Sequence, residues 1–372
     1  MTPIATSASS PRLAWIDVAK AVAIVLVVLY HVSVAGAGQL LPGSVSHVIS
    51  WWSDVSRALI PVRMPLFFLA SGLLASSAIE RPWRRLWRPR VGNLLWPFLL
   101  WSVLFAVLCA PRYDPEDPGR YMRSSLEAIG FGGTAYWFLS VLVVFFVTAR
   151  LLRRFRYVLL LAGVALVAIA PLVSSFLVDT LDTPQALASN ISRVCYFAVW
   201  YFVGCFGRPA VERIASGATW LTAASAGGLY VGFAWAIYVA GIAGSITPLL
   251  ILAMNVLGLV TACQLAFLTA RSGAVRRVSR YLAGRTLAIY VLHPILLSGL
   301  ILLLRRDDGT TVLPLTSPVV DALLFPVVTA MLVVVSTALY DLSQKVGARW
   351  LFALPGGRRD SQPLPVSSTP GQ

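Results

Sequence analysis

The residues best equipped for chemistry sit inside apolar sequence. Ten residues separate Lys20 from His31, and Asp17 precedes Lys20 by one turn. At 3.6 residues per turn, the step from Lys20 to His31 is about three turns and a rise of roughly 16 Å, and the two side chains differ by only about 20° around the axis. A helix here carries a polar stripe: Asp17 and Lys20 at one end, His31 at the other, and apolar Ala21 to Leu29 between them. Imidazole is the side chain that can take a proton from a hydroxyl near neutral pH. His31 is expected near the outer surface, with Arg63 ahead of Pro65 and Arg193 in Asn190-Ile191-Ser192-Arg193 at about the same depth, and His293 ahead of Pro294 nearer mid-membrane. An ionisable side chain at the centre of a spanning helix costs roughly 2.5–3.5 kcal/mol, so each suggests a function. Structural readings stand beside these. Asp17 and Lys20 could form an interfacial ion pair with His31 as an interfacial cap, Arg63 could snorkel to the outer headgroups, and His293 could be a packing histidine.

The elements that must position these residues are spanning helices. Of the 372 residues, 58% are hydrophobic and 12% charged, and mean hydropathy is +0.78. A soluble domain has about twice that charged fraction, so the composition excludes a cytosolic enzyme and a disordered chain. Segments of about 20 apolar residues occur at 13–35, 58–79, 91–110, 134–149, 157–178, 189–207, 218–240, 248–270, 286–304 and 319–340, the fourth being short. The expected fold is all-α, a polytopic transmembrane bundle of about ten helices. Loops 80–90, 150–156 and 271–285 are rich in Arg, while the alternating loops 111–133, 179–188, 241–247 and 305–318 are poorer in it. The positive-inside rule then places both termini in the cytoplasm. In this reading residues 1–12 are a cytoplasmic segment, 13–340 the transmembrane domain, and 341–372 a cytoplasmic tail that becomes disordered toward its Pro/Ser/Gly-rich end.

A formal charge of +15 follows from the same loop bias, so nucleic acid is not an expected partner. The basic residues other than Lys20 and Lys345 are Arg, a composition that points to a GC-rich bacterial genome. The first apolar run is too long for a cleavable signal and contains Asp17 and Lys20. Cys109, Cys195, Cys205 and Cys263 lie in apolar runs without a CxxC pair, so neither a disulfide framework nor a metal site is expected. In loop 80–90, Arg81, Arg84, Arg85, Arg88 and Arg90 alternate with Trp83 and Trp87. That pattern suits a membrane anchor, an anion-binding mouth for a phosphate-rich donor, or both.

In order and spacing, several motifs resemble the acyltransferase-3 family of integral membrane O-acyltransferases, especially its fucose 4-O-acetylase-like branch. They are Trp15-Ile16-Asp17, Lys20 followed by Val25-Leu26-Val27-Val28-Leu29-Tyr30-His31, Met64-Pro65-Leu66-Phe67-Phe68 with Ser71-Gly72, and Arg85-x-x-Arg88. Arg90 ahead of Trp96-Pro97, Tyr136-Trp137-Phe138-Leu139 and Ile289-Tyr290-Val291-Leu292-His293 complete the set, which covers most of residues 12–340. Lys20 stands where many relatives have Arg, which keeps the charge and loses the bidentate fork. The resemblance implies transfer of an acyl group, usually acetyl, from cytoplasmic acyl-CoA to a carbohydrate or glycolipid hydroxyl at the outer face of a bacterial inner membrane. It implies no permanently bound cofactor. On that footing His31 and Arg63 are the expected catalytic residues. Lys20, Arg85 and Arg88 are expected to bind the donor, and Asp17, Trp137, Arg193 and His293 to line the acceptor site. Membrane lipids are the other expected partners. A transporter or flippase is the rival reading, and an envelope scaffold a third.

Overall fold

The structure is a computed structural model and describes residues 14–36, 40, 46–238, 240–241, 247–304 and 318–356. All regular structure among the described residues is helical. In chain order the longer helices are α1 (Ala14–Tyr30), α2 (Ser46–Ala58), α3 (Ile60–Ala75), α4 (Asn93–Leu108), α5 (Pro118–Gly130), α6 (Trp137–Leu151) and α7 (Arg156–Asp179). They continue with α8 (Gln185–Phe206), α9 (Arg208–Ser216), α10 (Trp220–Tyr238), α11 (Thr247–Thr269), α12 (Gly273–Ala283), α13 (Thr286–Leu304) and α14 (Pro318–Lys345). The chain is a multi-pass membrane protein. Each of the ten apolar segments falls on a helix, but length and hydropathy admit fewer spans: seven among the described residues, or up to nine if two bent pairs each cross once. The fourth segment, α6, is a shorter apolar helix.

Both bends have local causes. The α2–α3 pair turns by 41° just before Pro61, which cannot donate to the preceding turn. The α8–α9 pair turns by 82° at Gly207, with Pro209 next; α9 is a short helix carrying the Arg208–Glu212 ion pair.

The arginine-rich connections meet one another. Arg153 pairs with Glu80 at 3.3 Å, Arg208 Nη1 donates to Ser76 Oγ, and Arg285 pairs with Asp341 at 2.7 Å. These contacts define a single arginine-rich face of the bundle. The start of the expected tail belongs to this face. Residues up to Lys345 continue α14, and a short 3₁₀ turn follows at Arg349–Leu351. Trp96 and Trp101 donate their indole N–H groups to the Trp350 and Leu351 carbonyls, and Phe352 stacks on Trp101. Residues 357–372, where disorder is expected, lie outside the described residues, as do residues 1–12.

Within the bundle α3 is the central rod, and 13 of its residues from Pro61 to Ala75 are buried. It crosses α8 at a pair of glycines. A Cβ on Gly72 would overlap the Tyr201 carbonyl, and one on Gly204 would overlap the Leu69 carbonyl. Lipid supplies no hydrophobic drive between helices, so close backbone approach at small residues is what holds such a crossing. Above it Phe68, fully buried, touches Phe138, Phe145 and Phe197 with ring centroids 4.7–5.2 Å apart. This aromatic layer joins α3, α6 and α8 and fixes the floor of the polar cluster described next.

Candidate active site

α1 and α13 run side by side in the same direction. Lys20 Nζ donates to the Ala283 carbonyl at 3.0 Å, and His31 meets His293 with ring centroids 5.1 Å apart. Eleven residues along α1 to its π-helical end, and ten from Ala283 at the end of α12 into α13, span the interval, roughly 15–16 Å at 1.5 Å per residue, so the two runs stay in register. Sequence reasoning placed His31 near the outer surface and His293 nearer the middle. The structure corrects this: both imidazoles share one level, because α1 starts well below α13.

At His31 the α1 backbone widens into a π-helical stretch, His31–Gly36, a local irregularity often found at functional sites. Ser33 within it donates to the Leu29 carbonyl and shares a 2.5 Å hydrogen bond with Ser56 of α2. His293 is fully buried. Its Nδ1 lies 2.8 Å from the Ile289 carbonyl. A carbonyl only accepts, so Nδ1 carries the proton and Nε2 presents its lone pair. That Nε2 is buried and has no hydrogen-bond partner among the described residues. His31 is half-buried and its ring also contacts Tyr30.

Cations surround this pair. Arg63 is buried, at 5% exposure, with its guanidinium 3.9 Å over the Tyr30 ring. Snorkelling to a headgroup region is therefore not its position. Arg193 lies 4.7 Å over the Trp137 ring, and its buried Nη1 has no hydrogen-bond partner among the described residues. Arg63 and Arg193 both lie within electrostatic reach of Tyr30. Stacking on aromatic faces, rather than pairing with carboxylates, holds both charges.

Arg112 is the residue that sequence reasoning missed. It lies in a connection read as an outer loop poor in arginine. The structure buries it at 6% exposure, bonds its Nη1 to Ser298 Oγ of α13 at 2.9 Å, and brings it within electrostatic reach of His31. Its neighbour Pro111 and the polar run that follows gave no sign of re-entry. Tyr136 was quoted only as part of a motif. It is fully buried and donates to the Val291 carbonyl at 2.8 Å. In the same connection Arg120 sits 2.8 Å from Asp114 and holds that carboxyl below its usual value.

A cavity of about 190 Å³ rises toward the cluster from the arginine-rich face. Lys20 and Arg90 stand at one end and Tyr290 at the other, with Phe67, Phe138 and Leu142 on the walls. Tyr290 is 6.2 Å from His293, ring centroid to ring centroid, so the cavity ends one residue short of the imidazole pair. The expected donor-binding residues are not all here. Arg85 is exposed and Arg88 is tied to the tail, donating to the Leu354 and Pro355 carbonyls. Neither lines the cavity; Arg90 does. Asp17 is half-buried near Lys20 and Arg280, one end of α1 away from the imidazoles. The structure thus brings together His31, Arg63, Trp137, Arg193 and His293, and sets Lys20 below them.

The acyltransferase domain model of the acyltransferase-3 family matches residues 13–341. The inner membrane protein YcfT of Escherichia coli (strain K12) is 25% identical over 305 residues, covering 76% of this chain and 79% of that protein. No solved structure matches the chain. With a family match running from the residue before α1 to near the end of α14, the chain belongs to the acyltransferase-3 family of acyltransferases.

Proposed function

We propose that this protein is a membrane O-acyltransferase. It moves an acyl group, acetyl foremost, from acyl-CoA to a hydroxyl of a cell-envelope carbohydrate or glycolipid. The arginine-rich face is assigned to the cytoplasm of a bacterial inner membrane, and the acceptor approaches from the other face. One observation carries the reading: two imidazoles meet just beyond Tyr290, which closes an apolar cavity whose lining also holds Lys20 and Arg90. A slender thioester arm suits such a cavity, and cations at its mouth suit the donor's phosphates.

In the reaction, His31 takes the acceptor's hydroxyl proton as the oxygen attacks the thioester carbonyl. The tetrahedral oxyanion forms beside Arg63, with Arg193 and Arg112 contributing positive potential. The carbon–sulfur bond then breaks, and the imidazolium returns the proton to the departing thiolate. The products are the O-acyl ester and free CoA. Trp137, held by Arg193, offers an aromatic face for a sugar ring. His293, with its Nε2 lone pair turned to the site, accepts a hydrogen bond from the acceptor or from His31.

The test is release of free CoA by purified protein given acetyl-CoA and an envelope glycolipid extract. Acceptor-dependent release that vanishes in His31→Ala supports the reading. A correctly folded wild-type protein that releases no CoA above the extract's background overturns it.

A further inference from the structure

A second, larger bay opens on the arginine-rich face, away from the site just described. It measures about 950 Å³ and lies between the end of α11, α12 and the first turn of α1. Arg271, Arg276, Arg277, Arg280 and Arg285 converge on it, with Trp15 and Phe267 as apolar walls. The positive-inside bias explains why the segment 271–285 is basic, but it does not require all five of its guanidinium groups to line one bay. Two carboxylates act against them. Asp341 pairs with Arg285 at 2.7 Å, and Asp17 lies within electrostatic reach of Arg280. Among the described residues no carboxylate is within ion-pair distance of Arg271, Arg276 or Arg277. Arg276 is nevertheless fixed in place, its Nη1 donating to the Ala270 and Arg271 carbonyls at 3.0 and 3.1 Å. Arg271, Arg276 and Arg277 are exposed, so their charge is open to an anion arriving from the aqueous side.

The bay is also separate from the cavity that holds Lys20. Trp15 and Lys20 differ by about 140° around α1, and the Lys20–Ala283 hydrogen bond spans the boundary. The geometry points to a dedicated binding site for a ligand bearing two or more phosphate charges, seated on Arg271, Arg276 and Arg277. Guanidinium forks match phosphate oxygens two at a time. Trp15 and Phe267, at the ends of spanning helices, place the bay at the level of lipid headgroups. A polyanionic phospholipid and a soluble nucleotide bisphosphate both present this chemistry. The inference does not depend on the reaction proposed above.

The test uses the full chain in neutral detergent with two probes. Cardiolipin binding is read by native mass spectrometry against phosphatidylcholine, and adenosine 3′,5′-bisphosphate binding by calorimetry. At least one probe binds, and the Arg271→Gln/Arg277→Gln variant weakens it by about tenfold or more, as expected for losing charge-assisted hydrogen bonds. The Arg271→Lys/Arg277→Lys variant loses less. Cardiolipin alone identifies a lipid source, the bisphosphate alone a soluble one, and competition between them a shared site. If the double Gln variant does not elute as a monodisperse species, Arg277→Gln, at an exposed position, gives the same reading. Neither probe binding, or equal binding by wild type and the Gln variants, overturns the proposal.

Discussion

At the scale of single residues, the useful fact is that His293 has its tautomer fixed by the Ile289 carbonyl and an acceptor nitrogen left over. Two bases in contact act as a unit, so their losses should not add. His31→Ala is expected to lower kcat by about 10²–10⁴-fold, the usual worth of a general base, with membrane insertion intact. His293→Gln should cost less, and the double variant little more than His31→Ala alone. Fully multiplicative losses in steady-state kinetics would show that the histidines work independently. The imidazoles and Arg63 were legible because an ionisable group in a span is conspicuous against its neighbours. Arg112 was not, since it follows the end of a span, where arginine is ordinary. Its burial depends on a bond to Ser298, far along the chain, and such tertiary contacts leave no local pattern.

At the scale of elements, helix positions were read well because twenty apolar residues admit few other structures in lipid. Span number and depth were read less well. Hydropathy locates a helix along the chain but does not say how far it is shifted along the membrane normal, and this is how His31 and His293 came to be placed at different depths. The α3–α8 crossing gives a direct test of packing. A small pair such as Ser71-Gly72 permits close helix approach, but Gly204 as its partner is visible only in three dimensions. Gly72→Val would drive side-chain carbons into the Tyr201 carbonyl and the Cys205 amide. Overpacking of this kind costs about 1–3 kcal/mol, so the melting temperature in detergent should fall clearly. A melt unchanged from wild type would mean that the crossing relaxes freely. The same scale separates Lys20 from Arg88. Lys20 lines the cavity while Arg88 holds the tail. Lys20→Ala should raise the donor KM with a smaller change in kcat, and Lys20→Arg should recover most of it. Arg88→Ala should instead expose residues 349–356 to limited proteolysis. A donor KM raised equally by both would return Arg88 to the phosphate site.

For the whole molecule, the decisive property is direction. The arginine-rich connections gather on one face, and the cavity opens from that face and closes at Tyr290 beneath the imidazoles. Lys20 and His31 are separated by roughly 16 Å along α1, so donor phosphates and acceptor hydroxyl are held at different depths of one bundle. A cavity that opens beside Lys20 and Arg90 and closes at Tyr290 should accept the donor from only one side. In sealed vesicles containing the purified protein, sorted by the accessibility of a tag on the arginine-rich face, transfer is expected only when acyl-CoA is supplied to that face. Leu142→Trp would fill part of a cavity of about 190 Å³ and should abolish transfer from that side while leaving the protein folded. Turnover with donor added to either face, or turnover that survives the blocked cavity, would mean that the thioester reaches His31 by another route, and Lys20 and Arg90 would then lose their place in the reaction.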